Sequence, residues 1–214
     1  MTSFWLPVEC VLCGKPPVQI CVSCRSTVPL RPRIVIRPDL LPGLAVADYA
    51  GAPKQLVHSL KVLGSGPVVR LMALHTAAHL AEQLAGKFEG QHILLVPAPS
   101  RKSAIAQRGF VPAALLAKSV ARQLRKLGIP AQQFGMLRMN STVADQTGLN
   151  RQQRSQNLAG AMFCKTKPVA AFLNHRLVLV DDVVTTGATL REMNRCLSEA
   201  GWQPVSFLTF AETL

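Results

Sequence analysis

Residues 178–190 read Val-Leu-Val-Asp-Asp-Val-Val-Thr-Thr-Gly-Ala-Thr-Leu, and these types in this order describe a grip for a phosphorylated sugar. An apolar run, Leu177 to Val180, delivers two adjacent carboxylates, Asp181 and Asp182, to its C-terminal end. A turn of small and hydroxyl residues follows (Thr185, Thr186, Gly187, Ala188, Thr189), and then a helical pattern begins. Such a turn offers backbone N–H groups and three hydroxyls to a phosphate at a helix N-terminus, where the peptide dipoles favour an anion; Gly187 lets the backbone come close. The carboxylates, one step back, can accept hydrogen bonds from a pair of ribose hydroxyls or hold a Mg²⁺ ion. An ordinary buried strand turning into a helix has no use for two adjacent acids beside a Thr-Thr-Gly-Ala-Thr loop.

A second constellation is Cys10-x₂-Cys13-x₇-Cys21-x₂-Cys24. Each Cys-x₂-Cys knuckle sets two thiolates on one side of a tight turn, and two knuckles face to face make a closed four-sulfur site of the structural zinc kind. So short a segment has little apolar core, so folding of roughly residues 8–26 is expected to depend on metal. Disulfides are the competing use of the four thiols, one that a reducing compartment disfavours. Cys164 and Cys196 lack a partner pattern and read as small core hydrophobes. His75 and His79, four apart on a helical pattern, have no acid following in a ligand spacing and read as helix-surface histidines.

These residues need elements to position them. After the cysteine module (1–28), the proline- and arginine-rich stretch 29–43 reads as an extended linker, and 44–214 as one domain. Leu44 to Tyr49 looks like a strand, Pro53 to Gly64 and Pro67 to Leu84 like helices, and Ile93 to Val96 like a strand. Pro112 to Leu127 reads as a helix closed by Gly128 and Pro130, Gly135 to Arg138 as a strand, Leu177 to Val180 as the strand feeding the grip, Leu190 to Ala200 as its helix, and Val205 to Phe210 as a last strand. Short strands apolar on both faces, alternating with helices, predict an α/β fold: a parallel sheet flanked by helices, with ligands bound outside the carboxyl ends of the strands. Two loops fall at that edge besides the grip. One, Val96 to Phe110, carries Arg101, Lys102 and Arg108, whose cationic donors suit pyrophosphate oxygens. The other, Asp145 to Phe163, is polar, and a loop of this length in a compact domain is usually a lid or disordered.

Composition sets the class. Apolar residues make up 49% and charged residues 16% of the 214, which argues against extensive disorder and for a real core. With no apolar run of about 18 residues and no basic-then-apolar leader, the expectation is a soluble cytoplasmic protein without membrane insertion. The net charge of +13 is uneven: residues 101–160 hold ten Lys or Arg against the single acid Asp145. That concentration attracts polyanions, pyrophosphate-bearing substrates and nucleic acid alike. Stacking residues are scarce, however, with 5% aromatics and none interleaved with Lys118, Arg122, Arg125 and Lys126.

The grip resembles the phosphoribosyl-pyrophosphate (PRPP) motif of type I phosphoribosyltransferases, all of whose positions are filled here. Other features lie collinear with it: the four-cysteine module, Tyr49 with Leu60-Lys61, the Val96-Pro97-Ala98-Pro99 turn, Arg108-Gly109-Phe110, and Gln146, Thr147, Arg154, Asn157, Ala161 and Phe163. Together they resemble the ComF/GntX family of phosphoribosyltransferase-like proteins over nearly the whole chain. Where that family usually continues Arg-Gly-Phe with Asn-Gln, this chain has Val111-Pro112, so any polar role of that pair is lost; some members also carry a second set of knuckles.

The resemblance implies a type I phosphoribosyltransferase-like fold with a zinc-ribbon-like N-terminal module and Mg²⁺-dependent transfer of phosphoribosyl to a nitrogen acceptor. Asp181 and Asp182 would hold the ribose hydroxyls, Thr185 to Thr189 the 5′-phosphate, and Arg101, Lys102, Arg108, Arg151 and Arg154 the pyrophosphate. Arg108 and Arg154 stand with the two acids as the catalytic set. It also implies a link to DNA uptake in natural competence, with single-stranded DNA and a helicase-like competence protein as partners. The alternative is a non-catalytic PRPP- or DNA-binding accessory protein.

Overall fold

In the computed structural model, which describes residues 8–85, 92–140, 160–169, 172 and 174–214, six strands form one sheet in the order β1-β2-β8-β7-β3-β4. These are β1 Arg33–Val35, β2 Gly43–Asp48, β3 His92–Pro97, β4 Ala131–Gln133, β7 His175–Val184 and β8 Pro204–Glu212. All neighbours run parallel except β1, which pairs antiparallel with β2. β1 lies within the stretch read as a linker. There it closes the sheet edge, and Arg33 reaches Asp48 and Glu212 at 2.6 Å each.

Helices cover both faces, which explains why the strands are apolar throughout. Along β7 the side chains alternate. Val178 and Val180 face one core with α2 (Gly51–Leu63), α3 (Gly66–Leu84) and α5 (Pro112–Lys126), where Leu56, Leu60, Met72, Leu116 and Leu124 are fully buried. Leu177 and Leu179 face the other, with α6 (Ala188–Glu199), Phe207 and Trp202. A short α4 (Lys102–Arg108) follows β3. The helix stops are those the glycines announce: Gly64 ends α2 and Gly109 ends α4, both left-handed.

Two expectations change. The strand expected at Gly135 to Arg138 is instead β5 (Leu137–Met139), which pairs antiparallel with β6 (Met162–Cys164) in a ribbon apart from the main sheet. The sheet's real edge is β4, whose Ala-Gln-Gln sequence carries weak strand propensity and is held by pairing with β3. The second change is in β7: it runs past Asp181 and Asp182 to Val184, pairing Asp181 with Thr209 and Val183 with Ala211. The acids therefore lie within the strand, and past them the alternation shifts, Val183 packing with the first core and Val184 with the second.

The cysteine module holds α1 (Val22–Ser26) and docks on the α2–α3 junction through Val11, Leu12 and Ile20, with Ser65 donating to Gln19. No helix among the described residues is long and apolar enough to cross a membrane.

Candidate functional site

Asp182 is buried and lies on the face that carries α2, and Asp181 beside it is half-buried. Lys61, on α2, reaches across to Asp182 at 3.0 Å. Asp181 folds back to accept from the Asp182 amide at 2.8 Å. Burial first, and then the charge of Asp182, pushes the Asp181 carboxyl up to about 7. Asp182 is raised by burial as well, with the Lys61 charge opposing. Lys61 is a site residue whose role the sequence pattern did not disclose, since nothing in its local spacing says that it meets an acid 121 positions later.

The acids open onto a cleft of about 550 Å³ at the carboxyl edge of the sheet. Opposite them stand Pro99, Ser100, Arg101 and Arg108 from the β3–α4 segment, with Tyr49 closing one side. Arg108 donates to Ser100 Oγ at 3.1 Å, while its buried Nε has no partner. Lys102 begins α4 and is exposed, off the cleft wall. Arg151 and Arg154, with the rest of the 141–159 stretch, lie outside the described residues.

The turn after β7 is built as a cradle. Thr185 and Thr189 line the cleft; Thr186 turns inward, its Oγ1 accepting from the Ala188 amide at 3.3 Å. Gly187 caps α6 at φ +81°, and a Cβ there would come within 3.0 Å of Leu40. No residue but glycine meets both conditions without strain.

A strap from the N-terminal side holds this turn from behind. Arg37 donates to the Thr185 carbonyl and pairs with the buried Glu212, which Arg33 also grips. In a trans peptide the carbonyl and the next N–H point in opposite directions, so holding the Thr185 carbonyl aims the Thr186 N–H away from Arg37. Asp39, the one non-glycine residue at positive φ among those described, turns the strap so that Leu40 packs against Gly187. In the sequence this stretch carries only the marks of a basic, proline-rich linker.

The four module cysteines bring their sulfurs within 4.8 Å of one another. Cys13 Sγ and Cys21 Sγ stand 3.8 Å apart, the separation that a tetrahedral site with metal–sulfur bonds of about 2.3 Å requires. The Cys21 and Cys24 amides donate to Cys10 Sγ and Cys21 Sγ at 3.5 Å, the arrangement that favours thiolates. The set can hold a metal ion, and among the described residues it is the one group of such side chains that can. His79 instead pairs with Glu82 at 3.0 Å.

A mostly parallel sheet, paired acids at the end of a central strand and a hydroxyl-rich turn into a helix define a class of protein, that of the phosphoribosyl transferase domain, whose sequence pattern matches residues 72–213. The chain belongs to the ComF family within that class. It is 30% identical to the DNA utilization protein YhgH of Salmonella typhimurium over 210 residues, 96% of this chain and 84% of that protein. It is 26% identical to the competence protein ComFC of Bacillus subtilis over 192 residues, 90% of this chain and 72% of that protein. The hypoxanthine phosphoribosyltransferase of Trypanosoma cruzi is similar at 17% identity and a TM-score of 0.38, over 66% of this chain and 63% of that structure, just under two thirds of its length.

Proposed function

We propose that the cleft binds PRPP and transfers its phosphoribosyl group to a nitrogen acceptor. The observation that carries this reading is the convergence in one cleft of Asp181, Asp182, the Thr185–Thr189 turn, Arg101 and Arg108. Asp181 and Asp182 accept the ribose hydroxyls, the turn takes the 5′-phosphate, and Arg101 and Arg108, joined by Arg151 and Arg154 as the family resemblance implies, stabilise the departing pyrophosphate. Asp181 and Asp182 would stand beside a Mg²⁺ ion bound with PRPP, and the ion would supply screening of the pyrophosphate charge. The protein's own share is positioning and electrostatic stabilisation of an oxocarbenium-like transition state. Zinc is the metal that four thiolates in a closed tetrahedron suit best, in a structural role. The protein's setting, on this reading, is the handling of DNA taken up by the cell, which the names of its relatives, a competence protein and a DNA utilization protein, support; a cytoplasmic location and a helicase-like partner are what the family resemblance implies.

Calorimetric titration of PRPP, with and without Mg²⁺, into the zinc-loaded protein and into an Asp181→Asn, Asp182→Asn variant tests this. Binding that needs both Mg²⁺ and the acids is the expected result; equal binding to both proteins, or none to either, overturns it. A second reading, a non-catalytic accessory that binds single-stranded DNA, is favoured by one observation. Arg25, Arg70 and Lys126 line a recess of about 360 Å³ between the module, α3 and α5, with no acid in its wall. Its signature is DNA affinity that falls steeply with salt and ignores Mg²⁺ and the two acids.

A further inference from the structure

The phosphosugar cleft contains a cation to which the roles above give no task. Lys61 rises from α2 into the cleft wall, its side chain 43% exposed and its ammonium 3.0 Å from Asp182 Oδ1. Burial works against that charge, yet the carboxylates of Asp182 and Asp181 and the phenol of Tyr49 outweigh it and hold the ammonium above the ordinary lysine range. One ammonium is thus shared by two adjacent acids. The Arg108 charge, across the cleft, bears on Asp182 in the same sense.

A strut between helix and sheet would look different. Leu56, Val57 and Leu60 already seat α2, all fully buried, so its packing does not need the ion pair. The pairs that brace the fold, Arg33 and Arg37 with Glu212, hold the turn from behind and form no part of the cleft wall. Lys61 instead stands at the opening, where a ligand meets it. Two adjacent, largely buried carboxylates without a cation would be an uncompensated double charge. A ribose diol brings two donors and no charge, so it could not balance that excess. Crowded acids ordinarily take a divalent cation for this purpose, and here the compact charge of a lysine stands in the place that calls for one.

We propose that Lys61 is the resident cation of the acid pair, doing for Asp181 and Asp182 what a divalent ion would otherwise do, so that the ribose 5-phosphate half of the cleft takes its ligand without metal. The inference rests on the reading of the cleft as a PRPP site, and it divides that site in two. The ribose hydroxyls meet a pair of acids whose charge one ammonium has already halved. Pyrophosphate, a polyanion, belongs to the opposite wall with Arg101 and Arg108, and it is the half for which Mg²⁺ is needed. A phosphoribosyl ligand that lacks pyrophosphate therefore binds independently of Mg²⁺. Lys61 is a positioning residue for it, fixing Asp182 in charge and in place while the hydroxyls bond the acids.

Ribose 5-phosphate is titrated by calorimetry into the zinc-loaded, full-length protein, first in Mg²⁺-free buffer without chelator, so that the module keeps its metal, and then with Mg²⁺. The native chain is expected to bind equally in both. Lys61→Met and Lys61→Gln should each weaken binding by about tenfold or more without Mg²⁺ and regain most of it when Mg²⁺ is added. Lys61→Gln keeps a donor and loses the charge, so agreement between the two variants assigns the effect to charge. Lys61→Arg should bind as the native chain does in both buffers. Lys54→Met removes an exposed lysine of the same helix outside the cleft; it controls for net charge and should change nothing. A native chain that needs Mg²⁺ for ribose 5-phosphate, no loss in the two uncharged Lys61 variants, or a loss that Mg²⁺ does not return overturns the inference and leaves the PRPP reading standing. If ribose 5-phosphate binds the native chain in neither buffer, that reading falls and this inference with it.

Discussion

Between Val8 and Val28 only Cys10 and Val28 are buried, and α1 buries nothing, whereas in β3 every residue from Ile93 to Pro97 is inside. The module has almost no core of its own. Its order must come from its four sulfurs and from the seat that Val11, Leu12 and Ile20 find on α2 and α3. The sheet body is the reverse case, with two apolar cores and a polar site only along one edge. The comparison bears on how function is encoded. The module's chemistry is complete within residues 10–24, while the cleft's chemistry is assembled from segments that run from Tyr49 to Thr189.

The largest effect should come from breaking the module. Chelation of zinc from the zinc-loaded protein, or Cys13→Ser, is expected to unfold roughly residues 8–26, because on the zinc reading the binding energy of such a structural ion, about 10–16 kcal/mol in zinc-finger peptides, is there the folding energy. Hydrogen exchange should show amides of the module deprotected while those of β3 and β7 stay slow. Loss of protection throughout the sheet would mean that the body leans on the module, and the contrast would fail. Next comes Asp181→Asn with Asp182→Asn. The body should keep its thermal midpoint or gain slightly, since two carboxylates held above their usual range are relieved, while PRPP affinity falls by about a hundredfold, roughly 2.7 kcal/mol.

How much of this was legible follows the same division. The knuckle spacing announces a four-sulfur site without any tertiary knowledge, because its ligands are neighbours in sequence. The β7-to-α6 grip is likewise local: an apolar run, two acids and a Thr-Thr-Gly-Ala-Thr turn sit within fourteen residues of Leu177. What could not be read was partnership across the fold. Lys61 meets Asp182 only because α2 packs on the same face of the sheet as Val178 and Val180 of β7. Arg37 meets Thr185 and Glu212 only because β1 turns a proline-rich linker into a sheet edge. β4 escaped notice for a related reason, its three residues Ala131–Gln133 being strand through pairing and not through propensity.

The strap is where these long-range partnerships can be tested without touching the acids. Gly187→Ala forces a left-handed residue with a Cβ 3.0 Å from Leu40, a cost of about 1–2 kcal/mol or more in stability, with ribose 5-phosphate affinity falling in parallel. Arg37→Met should be gentler on the fold, because Arg33 still holds Glu212. It should cost about five- to tenfold in ribose 5-phosphate affinity by freeing the Thr185 peptide. Inorganic pyrophosphate, which needs the opposite wall, should bind as before. Arg37→Lys keeps the charge but loses the fork that reaches Thr185 and Glu212 together, so it should restore little. Equal loss for ribose 5-phosphate and pyrophosphate would show that the strap shapes the whole edge of the sheet.

The smallest effect is with pH, and its sign differs between binding and stability. Asp181 is pushed up to about 7 by burial and by Asp182, so near neutrality part of the population holds a proton on the carboxyl that, in the proposed function, accepts a ribose hydroxyl. Affinity for the phosphosugar should therefore rise a few-fold between about pH 6 and about pH 8. Stability of the free protein should run the other way in this respect. Between about pH 4 and about pH 7 the folded pair binds more protons than the unfolded carboxyls do, so its contribution is fully present below the unfolded value and is lost as pH rises toward 7. The difference in thermal midpoint between the native chain and Asp181→Asn, measured across that range, isolates the contribution. It should grow in favour of the asparagine variant as pH rises. A flat difference would mean that Lys61 compensates both acids fully, leaving the cleft a charged site already relaxed before any ligand arrives.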